Sequence, residues 1–170
     1  MIHLSKDTLA LLEDIEQRID PETEDDFAAQ WEDFLFDRFA GDIFSPQRKT
    51  LSAPGIQLPD VHINDALADY EQMLVSQMAG VSASLNGHGN LCVRSNYGSA
   101  IMSSLFGAEI FIMPRETHTL PTTKGLNSTE KIEELIQKGI PDLNTGFGRR
   151  VFEFGELCAE LWQKYPKIGR

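Results

Sequence analysis

Residues 91–121, LCVRSNYGSAIMSSLFGAEIFIMPRETHTLP, set two short apolar runs around a Gly-flanked helical segment, and each run empties into a polar cluster. Leu91-Cys92-Val93 leads into Arg94-Ser95-Asn96-Tyr97-Gly98. Ile110-Phe111-Ile112-Met113 leads into Pro114-Arg115-Glu116-Thr117-His118. The pattern predicts strands over 91–95 and 109–113, joined by a short helix over 99–106 that Gly107 ends. Apolar strands that deliver Arg, Asn, Tyr and His at their C-terminal ends are how α/β proteins build ligand sites. The βαβ order therefore predicts an α/β fold with a parallel sheet.

The remaining segments read as helices and connections. Ser5 is a candidate N-cap, with Leu4 before it as half of a hydrophobic staple. Leu9, Leu12, Ile15 and Ile19 make a helical stripe with Glu16 facing out. Asp20-Pro21 breaks that helix and opens a second, whose apolar face is Phe27, Trp31, Phe34, Leu35 and Phe39, with Gly41 as C-cap. Residues 42–64, with Pro46, Pro54, Gly55 and Pro59, read as an extended arm. Asn64 or Asp65 caps a helix that runs through Gly80 and buries Leu67, Tyr70, Met73, Leu74 and Met78. A turn-rich loop over 84–90 carries His88. Asn127-Ser128-Thr129-Glu130 opens a helix to about Lys138, which Gly139 stops. A last helix starts at Asn144 or Thr145, buries Val151, Phe154, Leu157, Cys158, Leu161, Trp162 and Tyr165, and ends at Pro166.

Charge separates the chain into two parts. The net charge is −11, yet residues 1–42 hold 13 acids against Lys6, Arg18 and Arg38, a net of −10. Such an acidic end excludes nucleic acid as its partner. Two cysteines 66 positions apart, Cys92 and Cys158, make no CxxC or Cys/His motif and read as small hydrophobes. No window approaches the length of a membrane span and no signal pattern opens the chain, so a cytoplasmic location is expected.

By LCVRSNYG and LFGAEIF, and through LPTTKGLNSTEKIEELIQKGIPDLNTGFGRRVFEFGELCAELWQKYPKIGR, residues 65–170 resemble the uroporphyrinogen decarboxylase-like superfamily. The resemblance implies a partial (β/α)8 TIM barrel over 65–170, its first βα units preceded at 1–64 by an acidic helical hairpin plus extended arm. A complete barrel needs about 250 residues, so the chain is expected to be the N-terminal portion of one, inactive alone and prone to oligomerise through an open sheet edge. The family removes carboxylates from tetrapyrroles without a cofactor, or transfers methyl groups to corrinoid proteins or thiols, commonly with zinc. The decarboxylase's FMRQAGR and FSDIL segments have no counterpart here. Cys92 and His118 do not supply the His and Cys pattern of the methyltransferases, so no metal or other cofactor is assigned to this chain.

The implied function is a decarboxylase- or methyltransferase-type enzyme acting on an anionic tetrapyrrole or corrinoid-linked substrate. Arg94 and Arg115 would hold negative groups, because a guanidinium fork suits carboxylate or phosphate. Asn96, Tyr97 and His118 would position the reacting part, with Asn96 serving alternatively as a cap and Tyr97 as packing under its loop. His88 falls at the wrong end of a barrel for catalysis, and His3 and His62 carry no signal. Gly146-Phe147-Gly148 lacks the GxGxxG spacing of a nucleotide loop. The competing expectation is a non-catalytic, stand-alone α/β interaction module that uses the acidic hairpin.

Overall fold

Helices begin where the sequence supplies a cap. Ser5 Oγ accepts the N–H of Thr8 at 3.2 Å, Asp20 accepts those of Thr23 N at 3.1 Å and Thr23 Oγ1 at 2.6 Å, and Ser128 Oγ accepts Lys131 N at 3.3 Å. The computed structural model describes residues 3–170. Its helices are α1 (Lys6–Arg18), α2 (Pro21–Leu35), α3 (Ile63–Ala68), α4 (Tyr70–Leu85), α5 (Ala100–Leu105), α6 (Thr129–Lys138) and α7 (Gly146–Lys164). The strands are β1 (Ile110–Phe111) and β2 (Thr122–Thr123).

This architecture corrects the expected partial (β/α)8 barrel. The chain is 52% helical, and the sheet among the described residues is one two-stranded antiparallel ladder pairing Ile110 with Thr123 and Phe111 with Thr122. The expected strand over 91–95 enters no ladder. The expected strand over 109–113 shrinks because Pro114 ends it and a 3₁₀ turn, Arg115–Thr117, follows. His118 then takes a left-handed conformation at φ 50°, which turns the chain back so that 122–123 return antiparallel instead of crossing over through a helix.

The chain divides into two compact units. One comprises Val61–Leu74 and Arg94–Glu160, the other His3–Asp60, Val75–Val93 and Leu161–Arg170. The expected boundary at residue 64 lies close to the 60/61 division, but the chain crosses again at 74/75, 93/94 and 160/161.

In the hairpin unit, Leu11, Leu12, Ile15, Ile19, Phe27, Met78, Val81 and Leu85 are buried. Glu16 does not face out. Its carboxylate accepts the backbone N–H groups of Lys167 at 3.0 Å and Ile168 at 3.0 Å. Helix α2 ends six residues before Gly41, because Asp37 takes the left-handed conformation (φ 56°). Asp37 N then donates to Phe34 O at 3.3 Å and Arg38 N to Asp33 O at 2.7 Å, which is a Schellman closure. The aromatic residues beyond it gather on Phe44, whose ring stacks on Phe34 at 4.2 Å and meets Trp31 edge-on at 4.9 Å.

The arm of this unit is tied down by side chains. Gln30 exchanges two 2.9 Å hydrogen bonds with the backbone N–H and C=O of Gln47. Arg48 is 4% exposed. Its guanidinium grips both oxygens of Glu24 at 2.8 and 3.0 Å, donates to the carbonyls of Ser84, Gly87 and Gly89, and lies 4.2 Å from the ring centre of Phe27. Its own N–H donates to His88 Nδ1 at 3.0 Å, so the loop over 84–90 is fastened rather than free.

In the second unit, the single helix expected from 64 to 80 is two. Asp69 breaks it because its carboxylate accepts the N–H of Gln72 at 2.9 Å and so starts α4. Helix α4 then passes Gly80 and continues to Leu85. The last carbonyls of α3, on Leu67 and Ala68, are taken by the two terminal nitrogens of Arg150 on α7. Gly146 and Gly148 let the start of α7 abut α5. A Cβ on Gly148 would lie 2.1 Å from Leu143 O and 2.4 Å from Leu105 Cδ2, and Phe147 N donates to Ser104 Oγ at 2.9 Å.

Candidate functional site

The two polar clusters read from sequence do come together, but not as a barrel mouth. Gly98 has φ +68°, and a Cβ there would lie 3.1 Å from Leu120 Cβ, so the loop after 95 rests on the chain at 120–121. Only glycine accommodates that approach. Tyr97 is fully buried beneath it, its ring 5.0 Å from Phe147. Burial pushes its hydroxyl up to about 12, which keeps it neutral. That hydroxyl has no hydrogen-bond partner among the described residues. Tyr97 is therefore packed into the core, the position its packing alternative gives it. Asn96 is half-buried and does not cap α5, whose first residue follows Ser99 without any side-chain cap. Arg94 is exposed.

Removing the unpartnered hydroxyl has a sign opposite to most core substitutions. Tyr97→Phe keeps the ring and deletes the desolvated oxygen, so it should stabilise the protein by about 1 kcal/mol. A urea titration with an unchanged slope checks it.

Arg115 and His118 stand with Asp65, read from sequence only as a candidate helix cap, and with His62. Both terminal nitrogens of Arg115 hold Asp65, at 2.7 and 2.9 Å. The Arg115 hydrogen bonds hold the Asp65 carboxyl below its ordinary value, and the same bonds raise Arg115. Both groups are well exposed, so the pair adds little stability. His62 Nδ1 accepts the N–H of Asn64 at 3.1 Å, capping α3, and its Nε2 lies 2.9 Å from the carbonyl of Arg115. That contact requires the proton on Nε2, so both ring nitrogens of His62 are engaged. The His118 ring sits 4.2 Å from the His62 ring.

The chemistry open to this cluster is narrow. The guanidinium edge best suited to a carboxylate or phosphate already holds a carboxylate. No group of three His, Cys, Asp or Glu among the described residues is placed to hold a metal ion. The zinc of the methyltransferase branch thus has no fitting ligand set among them. A second polar cluster joins Tyr70, Glu153, Arg149 and Arg150. The Tyr70 hydroxyl, and then Arg149, hold the Glu153 carboxyl below its usual range. Arg150 ties α3 to α7 through the carbonyls of Leu67 and Ala68.

A different surface stands out by its exposure. Helix α6 buries none of its ten residues, yet its apolar side chains fall on one stripe. Ile132 is 45% exposed, Ile136 73%, and Ile140 just beyond the helix 92%. Beside it lies a cavity of about 360 Å³ between Leu105, Phe106 and Gly107 on one side and Leu135, Ile140 and Pro141 on the other. Sequence reading found this helix and its caps but assigned its face no role. The signal was present in the spacing of Ile132, Leu135 and Ile136, with no second apolar segment to receive them.

No helix is long and apolar enough among the described residues to cross a membrane. Against protein-family models, curated proteins and solved structures alike, the chain has no match.

Proposed function

We propose that the chain is a helical protein-interaction module that assembles with a second copy of itself through α6. The observation that carries this reading is a ten-residue amphipathic helix with no buried residue. Apolar area of this kind contributes about 25 cal/mol per Å² once it leaves water, and an isolated stripe has nothing to leave water for.

The apolar stripe is complementary to itself across a two-fold axis, which favours its own copy as the occupant. Two α6 helices packed antiparallel about Glu134 set Ile132 of each against Ile136 of the other. The acidic hairpin of the alternative reading has less to offer, since Asp14, Glu24, Asp25, Asp26 and Asp33 are already paired within the chain. The anionic-substrate reading would need Arg115 to abandon Asp65.

Sedimentation equilibrium tests the proposal. The wild-type chain should approach twice its 19.1 kDa mass as concentration rises. Ile136→Glu should remain monomeric with an unchanged melting curve, because the residue it alters is largely exposed. A wild-type chain that stays monomeric at every concentration would sink the reading.

A further inference from the structure

The turn that closes α4 carries a reactive pair that neither α6 nor the polar clusters involve. Asn86 is the one asparagine of the chain that glycine follows. It is exposed, one residue beyond the end of α4. Before glycine, the next backbone nitrogen reaches the asparagine side-chain carbonyl carbon most readily, because no Cβ stands in its way. Neither backbone conformation nor packing requires this glycine. Gly87 does not take a positive φ, and a Cβ on it would meet nothing nearer than Ala83 O at 3.5 Å, an ordinary contact. Gly89 differs, for its Cβ would lie 2.8 Å from Ser84 Oγ.

The same turn holds the reactive nitrogen in check. Gly87 N donates to Ser84 O at 3.1 Å. Arg48 Nη1 donates to Ser84 O at 2.9 Å, to Gly87 O at 3.2 Å and to Gly89 O at 2.6 Å. The acceptor of the Gly87 N–H and the peptide that follows Gly87 are therefore anchored to one buried guanidinium. The nitrogen can attack only after it leaves Ser84 O and its peptide turns toward the Asn86 side chain. That movement requires the grip of Arg48 to open locally.

We propose that Asn86 is a site of spontaneous deamidation whose rate Arg48 sets. Gly87 N loses its proton to solvent and forms a bond to Asn86 Cγ. The bond from Cγ to Nδ2 breaks, and that nitrogen takes a proton from water and leaves as ammonia. Water then opens the succinimide at either carbonyl, giving aspartate, or isoaspartate whose main chain runs through the side-chain carbons. Either product sets a carboxylate at the C-terminal end of α4, where the helix dipole opposes it. Isoaspartate also lengthens the main chain, which shifts the Gly87 and Gly89 carbonyls off Arg48. The reaction is thus an irreversible release of the loop over 84–90 from the arm that carries Arg48.

Ageing of the purified chain at mildly alkaline pH tests this, read by peptide mapping with separate detection of aspartate and isoaspartate. Conversion should be fastest at Asn86 among the asparagines, and about tenfold slower in the native chain than in urea. Gly87→Ala should suppress most of it without lowering the melting temperature, since the new methyl has room. Arg48→Lys should speed it by about fivefold in the folded protein. Glu24→Gln keeps the guanidinium but removes its ion pair, should act in the same direction, and serves where Arg48→Lys does not fold. Native chain that converts at Asn86 only as it melts, or as fast as in urea, overturns the proposal. So does equal conversion in wild type and Gly87→Ala, or a folded Arg48→Lys or Glu24→Gln variant that converts no faster than wild type.

Discussion

Arg48→Ala should lower the stability of this protein by about 3–5 kcal/mol, a drop of about 10 °C in melting temperature for a chain of this length. Nothing about the residue's place in the sequence suggests it, since it follows Pro46 in a segment without regular structure. Its guanidinium is nearly inaccessible, and all three of its nitrogens are engaged: two on Glu24, the third on the carbonyls of Ser84, Gly87 and Gly89. Alanine leaves the Glu24 carboxylate half-dry without its cation and strips three loop carbonyls of their donor. It also removes the cation from the face of Phe27. Arg48→Lys restores the charge but not the fork, and should recover only a minor part of the loss. Thermal and urea melts of the two variants check the order. Equal melting of Arg48→Ala and wild type would mean that the arm and the loop are not joined through this residue.

Gly148→Ala should cost about 3 kcal/mol, at the upper end of what overpacking does. The new methyl would meet the carbonyl oxygen of Leu143 and the side chain of Leu105 at distances no Cβ tolerates. One of the two obstacles is backbone, which cannot swing aside. Gly155, seven residues later on the same helix, has nothing within 4 Å of its Cβ position. Gly155→Ala should therefore raise stability by about 1 kcal/mol, the ordinary gain of alanine over glycine in a helix interior. Opposite signs from the same substitution on one helix separate packing from propensity. Urea denaturation of the two variants decides it, and a stabilised Gly148→Ala would show that α7 does not abut α5.

These sites also mark where local pattern stops being informative. Caps read from single residues hold at Ser5 and Ser128, whose side chains each satisfy an N–H three residues on, whereas the helix expected to be capped by Asn64 or Asp65 is capped by His62. The stripe of Leu12, Ile15 and Ile19 is buried as its spacing predicts. What failed was pairing. An apolar run of three or four residues is compatible with a strand, but a strand exists only if another segment comes alongside, and no local signal reports that. Asp69 and Asp37 show a second limit, for each short acidic side chain or backbone sits where an uninterrupted helix was expected. The candidate site follows the same rule. Arg115 and His118 were visible as loop residues, whereas Asp65 and His62 lie some fifty positions upstream and acquire meaning only through contact. The burial of Tyr97 was not visible, since a buried phenol and an exposed one look alike in sequence.

The carboxylate of Glu16 carries a consequence for synthesis. It belongs to the first helix, but the N–H groups it accepts sit 151 and 152 residues later. At about 5–20 residues per second on a ribosome, roughly eight to thirty seconds separate the acceptor from its donors. Throughout that interval α1 and α2 exist as an acidic hairpin with an unsealed apolar side. Their charge, rather than their packing, then keeps nascent chains apart, and the negative excess of residues 1–42 becomes a provision for the time before folding is complete.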